Sequence, residues 1–288
     1  MIVVGCSNSK SLAKIIARKA GLKYSDLVMK HFPDGELYIK YAIDIKNEDV
    51  FLVQTLYPST EAILEILIAG YTAKDLGAKK VNLIAPYMAY MRQDKRFFKG
   101  EAISSLIIGK MFNIFDKIIT IDPHLHRHKS LNEVFYNQNV LLSSNKLIED
   151  YLQKNYSDSY IIGPDEESNQ WAEEIAKKIG MKSIVFNKKR YNSQKVKVYG
   201  KGLEEIKNQK VIIIDDIIST GHTILESINE IKKYKPKTII VVGIHGIFAN
   251  KLVYEQIMKN TKEIITTNTI ETKHSKIDVS ELISNSLL

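Results

Sequence analysis

Residues 211–223 read VIIIDDIISTGHT. Val211 to Ile214 form a run of β-branched residues, the mark of a strand buried on both faces. Asp215 and Asp216 follow at once. Then come Ser219, Thr220, Gly221, His222 and Thr223, and after them Ile224, Leu225, Ile228 and Ile231 fall on one helical face. The stretch reads as strand, acidic turn, small hydroxyl-rich loop, helix. Such a loop aims backbone N–H groups and hydroxyls at one point, at the positive end of a helix dipole, where phosphate binds. Two adjacent acids suit the hydroxyls of a polyol, or a divalent cation beside the phosphate. Together they suggest a sugar phosphate with the acids on the ribose. The plainer alternative is helix capping, but a cap needs one side-chain oxygen and this loop offers several.

The rest of the chain repeats the alternation. Strands are expected at 2–5, 50–53, 81–84, 118–121, 160–162, 183–186, 211–214, 239–242 and 264–266. Helices are expected at 9–20, 59–75, 104–112, 142–154, 169–178 and 223–234. Alternating strand and helix implies parallel sheets covered on both faces, with ligands at the carboxyl ends of the strands. At 288 residues the chain has room for two domains. The polar stretch 132–145 is the expected boundary, giving domains 1–141 and 142–288. IITIDPH (118–124) and IIIDDII (212–218) are a faint sign that the halves are related.

Hydrophobic residues make up 44% and charged residues 26%, as in globular domains. No apolar run reaches the length of a membrane span, and MIVVGCSNSK reads as a strand rather than a leader. Cys6 is the single cysteine, so a reducing cytoplasmic compartment is expected. The net charge of +8 is spread along the chain, without a basic tail or an aromatic ladder. That argues against nucleic acid as the partner.

Five further segments carry chemistry. KHFPDGELYIKY (30–41) reads as a turn into a strand, with Phe32 ahead of the turn and Asp34 and Glu36 beside it; an aromatic next to acids can stack a purine. PYMAYMRQDKRFFKGE (86–101) concentrates Arg92, Lys95, Arg96 and Lys99 around Gln93 and Asp94, suiting a triphosphate. TIDPHLHRH (120–128) pairs Asp122 with His124 at a strand end, able to hold Mg²⁺ or a γ-phosphate, while His126 and His128 read as ordinary polar loop residues. IIGPDEES (161–168) sets Asp165 at a helix start, where capping is common. FNKKRYNSQKVKV (186–198 region) runs Lys188, Lys189 and Arg190 off a strand, as surface decoration or as an arm closing on a phosphoryl group.

The loop at 215–223 resembles the PRPP-binding motif of the type I phosphoribosyltransferase fold. The segments taken in order resemble the ribose-phosphate diphosphokinase (PRPP synthetase) family over nearly the whole chain. That resemblance implies two similar α/β domains, each a mainly parallel sheet flanked by helices, the first on the nucleotide side and the second on the ribose 5-phosphate side. It implies transfer of the β,γ-diphosphoryl group of ATP to the C1 hydroxyl of ribose 5-phosphate, giving PRPP and AMP, with Mg²⁺. By the same resemblance Phe32, Asp34, Glu36, Arg92, Gln93 and Asp94 bind ATP. His124 contacts the γ-phosphate or its metal, and Asp165 lies near the ribose C1 and a metal. Lys188 and Arg190 close over the transferring group. Asp215, Asp216, Ser219, Thr220, Gly221, His222 and Thr223 hold ribose 5-phosphate. A homodimer or larger homo-oligomer is implied, with the adenine site shared between subunits and the last residues packing back on the first domain.

Two positions depart from the family pattern. His222 stands where Gly or Ala is usual; a bulky residue there is strained if the backbone needs φ > 0, and otherwise adds a donor. Glu166, Glu167 and Ser168 follow Asp165 where a Gly-rich turn is common. A phosphoribosyltransferase consuming PRPP would share the last loop but is not expected to carry the FPDGE and RQD elements. A silent regulatory subunit or PRPP sensor is expected to lose His124 or the Lys188–Arg190 pair, and both are present.

Overall fold

Strands rich in Val and Ile have no polar face to show to water, so helices must cover both sides of the sheets they form. The computed structural model describes residues 1–125, 127–190, 196–200 and 202–287. The chain divides into two units, Met1–Ser143 with Val279–Leu288, and Ser144–Asp278.

The first unit runs β1 (Ile2–Gly5), α1 (Lys10–Ala20), β2 (Lys23–His31), β3 (Leu37–Tyr41), β4 (Asp49–Val53), α2 (Ser59–Asp75), β5 (Lys80–Ala85), α3 (Ser104–Met111), β6 (Lys117–Ile121) and β7 (Gln138–Leu142). Its seven-stranded sheet has the order β3-β2-β1-β4-β5-β6-β7. All pairs are parallel except β2 with β3, which form an antiparallel hairpin. The chain leaves β1 toward β2 and returns on the other side at β4. The β1/β4 boundary is therefore the switch point where such sheets open a crevice.

The second unit runs α4 (Asn145–Asn155), β8 (Ser159–Ile162), α5 (Glu166–Lys178), β9 (Lys182–Ile184), β10 (Phe186–Arg190), β11 (Val196–Gly200), β12 (Lys210–Ile218), α6 (His222–Ile231), β13 (Thr238–Gly246), α7 (Lys251–Asn260), β14 (Glu263–Thr267) and β15 (Ser275–Ile277). Six strands form a parallel sheet in the order β15-β14-β13-β12-β8-β9, and β10 and β11 make a separate antiparallel hairpin. Its switch point lies between β8 and β12. The alternation of β12 splits its side chains between two cores. Val211 and Ile213 join Ile224, Ile228 and Ile257 from α6 and α7, and Ile212 and Ile214 join Ile148 and Ile175 from α4 and α5. The last helix, α8 (Ser280–Asn285), belongs to the first unit, where Glu281 lies 3.4 Å from Lys19 of α1.

Several boundaries differ from the expectation, each for a packing reason. β12 does not stop at Ile214 but continues through both acids to Ile218, because its ladder with β13 persists to Gly246 and Ile218 packs over Gly243. Leu142 ends β7 rather than opening a helix, and α4 begins at Asn145. The strand expected at 183–186 breaks: β9 ends at Ile184 and β10 starts at Phe186 with a different partner. α5 begins at Glu166, three positions before Asn169, because Asp165 caps it. β2, β7, β11, β15, α7 and α8 are elements beyond those expected.

Gly109 sits in α3 where a Cβ would overlap the carbonyl oxygen of Val134. Both groups are backbone and cannot swing aside. Gly109→Ala is therefore expected to destabilise the first unit by roughly 1–3 kcal/mol, read as a lowered denaturation midpoint at unchanged m.

Candidate active site

In the second unit the chemistry collects at the carboxyl ends of β8 and β12, the two strands flanking the switch point. Asp215 is buried and Asp216 half-buried. The carboxylate of Asp215 accepts from the N–H of Asp216 at 3.1 Å, and that of Asp216 from the N–H of Ile217 at 2.7 Å. The loop that follows is pinned by the segment after β13. The Ile218 carbonyl accepts from the N–H groups of Ile247 and Phe248, and the Ser219 carbonyl from that of Ala249 at 2.9 Å.

Gly221 is the N-cap of α6, at φ 84°. It has no side chain to close the helix start, and no side-chain cap bonds there. The first-turn N–H groups remain oriented outward, with the hydroxyl-bearing Ser219, Thr220 and Thr223 around them, which is what a phosphate requires. A Cβ at Gly221 would stand 2.8 Å from Ile257 Cδ1. Positive φ and close packing both demand glycine. The left-handed position thus falls on Gly221, and His222 is the first helical residue. Its side chain is accommodated without backbone strain, with Nδ1 3.0 Å from Thr220 Oγ1.

Asp165 stands three residues after the neighbouring strand β8, as the N-cap of α5. Its Oδ1 accepts from the N–H of Ser168 at 3.0 Å and from the Ser168 hydroxyl at 2.7 Å, and the Ser168 Oγ in turn accepts from the Asp165 N–H at 3.2 Å. This is a complete capping box, in which Ser168 of the departing EES segment is the essential partner. Lys188 and Arg190 lie in β10, opposite Val198 and Val196 of β11. Their side chains lie outside the described residues, as does His126.

In the first unit FPDGE forms the tip of the β2–β3 hairpin. Phe32 and Glu36 are bonded through the backbone, Gly35 turns the chain at φ 93°, and Asp34 Oδ1 accepts from the Glu36 N–H at 3.2 Å. Phe32 is 49% exposed and meets Tyr38 edge-on at 5.8 Å. The turn reading is correct, and it presents an aromatic ring to solvent.

Arg92 is exposed after β5, and Gln93 is half-buried. Gln93 Oε1 accepts from the Ser104 hydroxyl at 2.6 Å. Asp94 is buried against Arg127 at 2.9 Å. The loop closes on itself through Glu101, whose Oε2 accepts from the N–H groups of Phe97 and Phe98 at 2.7 and 2.9 Å. At the end of β6, Asp122 takes a left-handed φ of 37°, a conformation costly outside glycine, and His124 follows half-buried. His128 faces Glu133 at 3.2 Å, an ordinary loop contact. The segments holding 92–94 and 122–124 follow the adjacent strands β5 and β6, and Asp94–Arg127 joins the two loops. Phe32, Asp34 and Glu36 follow β2, which β1 and β4 separate from β5 in the sheet order.

The switch point of the first unit holds a network that no motif signalled. Glu65 of α2 is buried; its Oε1 accepts from the Ser7 N–H at 2.9 Å, and its Oε2 accepts from the Ser7 hydroxyl and from Gln54 Nε2, each at 2.5 Å. The donors of this crevice are spent on an internal carboxylate. Burial raises the Glu65 carboxyl above its usual range, against the lowering effect of its bonds to Ser7. Among the described residues no three His, Cys, Asp or Glu side chains cluster as a metal site. Among the described residues no helix is long and apolar enough to cross a membrane.

Residues 1–115 match the family model for the N-terminal domain of ribose phosphate pyrophosphokinase, and residues 130–281 match the phosphoribosyl transferase domain. The chain is 33% identical over 287 residues to a ribose-phosphate pyrophosphokinase of Thermoplasma acidophilum, covering 98% of this chain and 97% of that one. It is also 33% identical over 289 residues to one of Pyrococcus furiosus, covering 100% of each. A crystal structure of phosphoribosylpyrophosphate synthetase from Mycobacterium smegmatis superposes with a TM-score of 0.86, covering 99% of this chain and 97% of that one, at 22% identity.

Two outcomes follow from the geometry. Gly221→Ala forces an L-residue into a left-handed backbone at a cost of about 1–2 kcal/mol and pushes on Ile257; it is expected to lower the urea denaturation midpoint. Glu65, with a folded pKa above its unfolded value, contributes stability that is fully present below the unfolded pKa of about 4.5 and is lost as pH rises through the folded value. Glu65→Gln is expected to flatten that fall when urea midpoints are compared between acid and neutral pH.

Proposed function

The chain belongs to the ribose-phosphate pyrophosphokinase family, and on that premise we propose that it transfers the diphosphoryl group of ATP to the C1 hydroxyl of ribose 5-phosphate, giving PRPP and AMP for nucleotide biosynthesis. The observation that carries this reading is the start of α6, without a side-chain cap, on the loop that follows Asp215 and Asp216, within a chain that matches its relatives end to end. A phosphoribosyltransferase alone would account for the α6 site but not for residues 1–115.

The second unit takes ribose 5-phosphate. Its 5-phosphate sits on the first-turn N–H groups of α6 and the hydroxyls of Ser219, Thr220 and Thr223. His222 adds a donor at the rim, and Asp215 and Asp216 accept from the ribose hydroxyls. The first unit takes the nucleotide through Arg92 and Gln93, with Asp94 supporting them and His124 at the phosphates. Phe32 stacks the adenine of a neighbouring subunit, with Asp34 and Glu36 beside it. The separation of the hairpin from β5 and β6 supports that assignment to a second copy, hence a homo-oligomer.

In the reaction the C1 oxygen bonds the β-phosphorus, its hydroxyl gives up a proton, and the bond from that phosphorus to the α-phosphate oxygen breaks, releasing AMP. Such a transfer needs alignment and charge neutralisation rather than a protein nucleophile. Lys188 and Arg190 supply positive charge on the transferring group. The donors also fit a divalent cation that keeps water and takes phosphate oxygens as ligands, the habit of Mg²⁺, so a preformed three-ligand cage is not needed. Asp122 with His124, and Asp165, are the protein groups suited to it; when bound it offsets phosphate charge. The capping bonds of Asp165 hold its carboxylate at a defined place at the end of β8. A buried free thiol, Cys6, agrees with a cytoplasmic setting.

The test is AMP and PRPP formation from ATP, ribose 5-phosphate and Mg²⁺. Release one-for-one, dependent on ribose 5-phosphate, is expected. Replacing Lys188 and Arg190 together by Ala is expected to lower turnover by about a hundredfold or more, the scale of losing a charge clamp, with unchanged circular dichroism. Undiminished AMP release in that variant would remove both residues from the catalytic set.

A further inference from the structure

We propose that Arg127 is a positioning residue of the nucleotide site, acting through Asp94 to lock the RQD loop onto the loop that bears His124. The proposal rests on the nucleotide assignment above and deepens it.

The Asp94 side chain has no exposed surface. A carboxylate so placed needs a cationic partner, since an unpaired buried charge is strongly destabilising. Arg127 provides it, with Nη1 at 2.9 Å from Oδ1 and 3.2 Å from Oδ2. The same guanidinium lies 5.5 Å from the ring centroid of Phe97, and Lys95 Nζ lies 5.2 Å from that centroid. Arg127 thus meets the loop twice, once by charge and once over an aromatic face.

The bonds within the loop do a different job. Arg96 Nε to the Glu101 carbonyl, Glu101 to the Phe97 and Phe98 N–H groups, and Gln93 to Ser104 shape residues 93–104 against α3. They do not reach β6. Asp94–Arg127 joins sequence positions 33 apart and crosses from the loop after β5 to the loop after β6. Arg127 stands three positions after His124, and Asp94 two after Arg92. The pair therefore sets the spacing between the exposed Arg92 and the half-buried His124, the two groups expected on one polyphosphate. Asp94 itself is covered and serves as an anchor rather than as a nucleotide contact. A misplacement of about 1 Å at such groups is enough to lose much of their effect.

The experiment compares wild type, Arg127→Ala, Arg127→Lys and the double variant Asp94→Ala/Arg127→Ala in the full chain. Mg–ATP and ribose 5-phosphate are each titrated calorimetrically, alongside the AMP assay and thermal melts. Arg127→Ala is expected to weaken ATP binding by about tenfold while ribose 5-phosphate binding shifts by less than about twofold, the split between sites that a local 1.4 kcal/mol-scale change produces. Arg127→Lys, which keeps the charge, is expected to recover part of the ATP affinity. The double variant is expected to be no weaker for ATP than Arg127→Ala, because the connection is already lost. Unchanged ATP affinity in Arg127→Ala, or equal loss for both ligands together with a lowered melting point, overturns the proposal. The AMP assay on wild type reports separately on the reaction: absent AMP with intact ATP binding defeats the diphosphoryl-transfer reading and leaves the Arg127 comparison readable, while a wild type that does not bind ATP defeats both.

Discussion

The apolar run of a parallel strand packed by helices on both faces has no place for a charge. Val211 to Ile214 divide between two apolar cores, and every position is buried. The first acid comes only at Asp215, once that run has ended. This constraint sends the chemistry of both units to the carboxyl ends of their strands. It is why Asp122, Asp165 and Asp215 each come just after an apolar strand run, and why such motifs are read most reliably where the preceding strand is most apolar.

Polar groups at those ends are then placed by close backbone packing. Gly163 lets the end of β8 pass the start of α5, since a Cβ there would lie 2.6 Å from the Asn169 nitrogen. Gly221 does the same against α7. In each case the missing side chain lets a helix start, with the free N–H groups of its first turn, pack closely against its neighbour. At Asp165 those groups are met by the chain's own carboxylate and Ser168. At Gly221 no side chain meets them, and a ligand phosphate takes their place in the reading offered above. The first unit shows a third solution, in which Glu65 satisfies the donors at its switch point from within.

The central strands and the longer helices were legible from short apolar runs such as Ile2–Gly5 and Val81–Ile84 and from long uninterrupted stretches of helix-forming residues such as Ser59–Asp75. The edge elements were not. β2 reads KYSDLVMKH and β7 reads QNVLL, sequences too polar or too short to separate from loops. They are strands because β1 and β6 offer them unpaired edges, a fact about neighbours rather than about composition. The extension of β12 through two acids has the same origin, since the ladder to β13 outlasts the apolar run.

The sequence by itself determined the inventory: alternating βα units, a diacid before a glycine-containing hydroxyl loop, a basic loop with RQD, and an Asp–His pair. These follow from residue type and local spacing, which the chain carries whatever it packs against. Only the tertiary structure decided how each group is spent. It made Asp165 a helix cap, gave Asp94 to Arg127, put the left-handed turn on Gly221 so that His222 is unstrained, and set the FPDGE hairpin apart from the RQD loop. Hydrogen bonds and burial depend on partners distant in sequence, and a carboxylate's role is settled by which of them the fold brings within 3 Å.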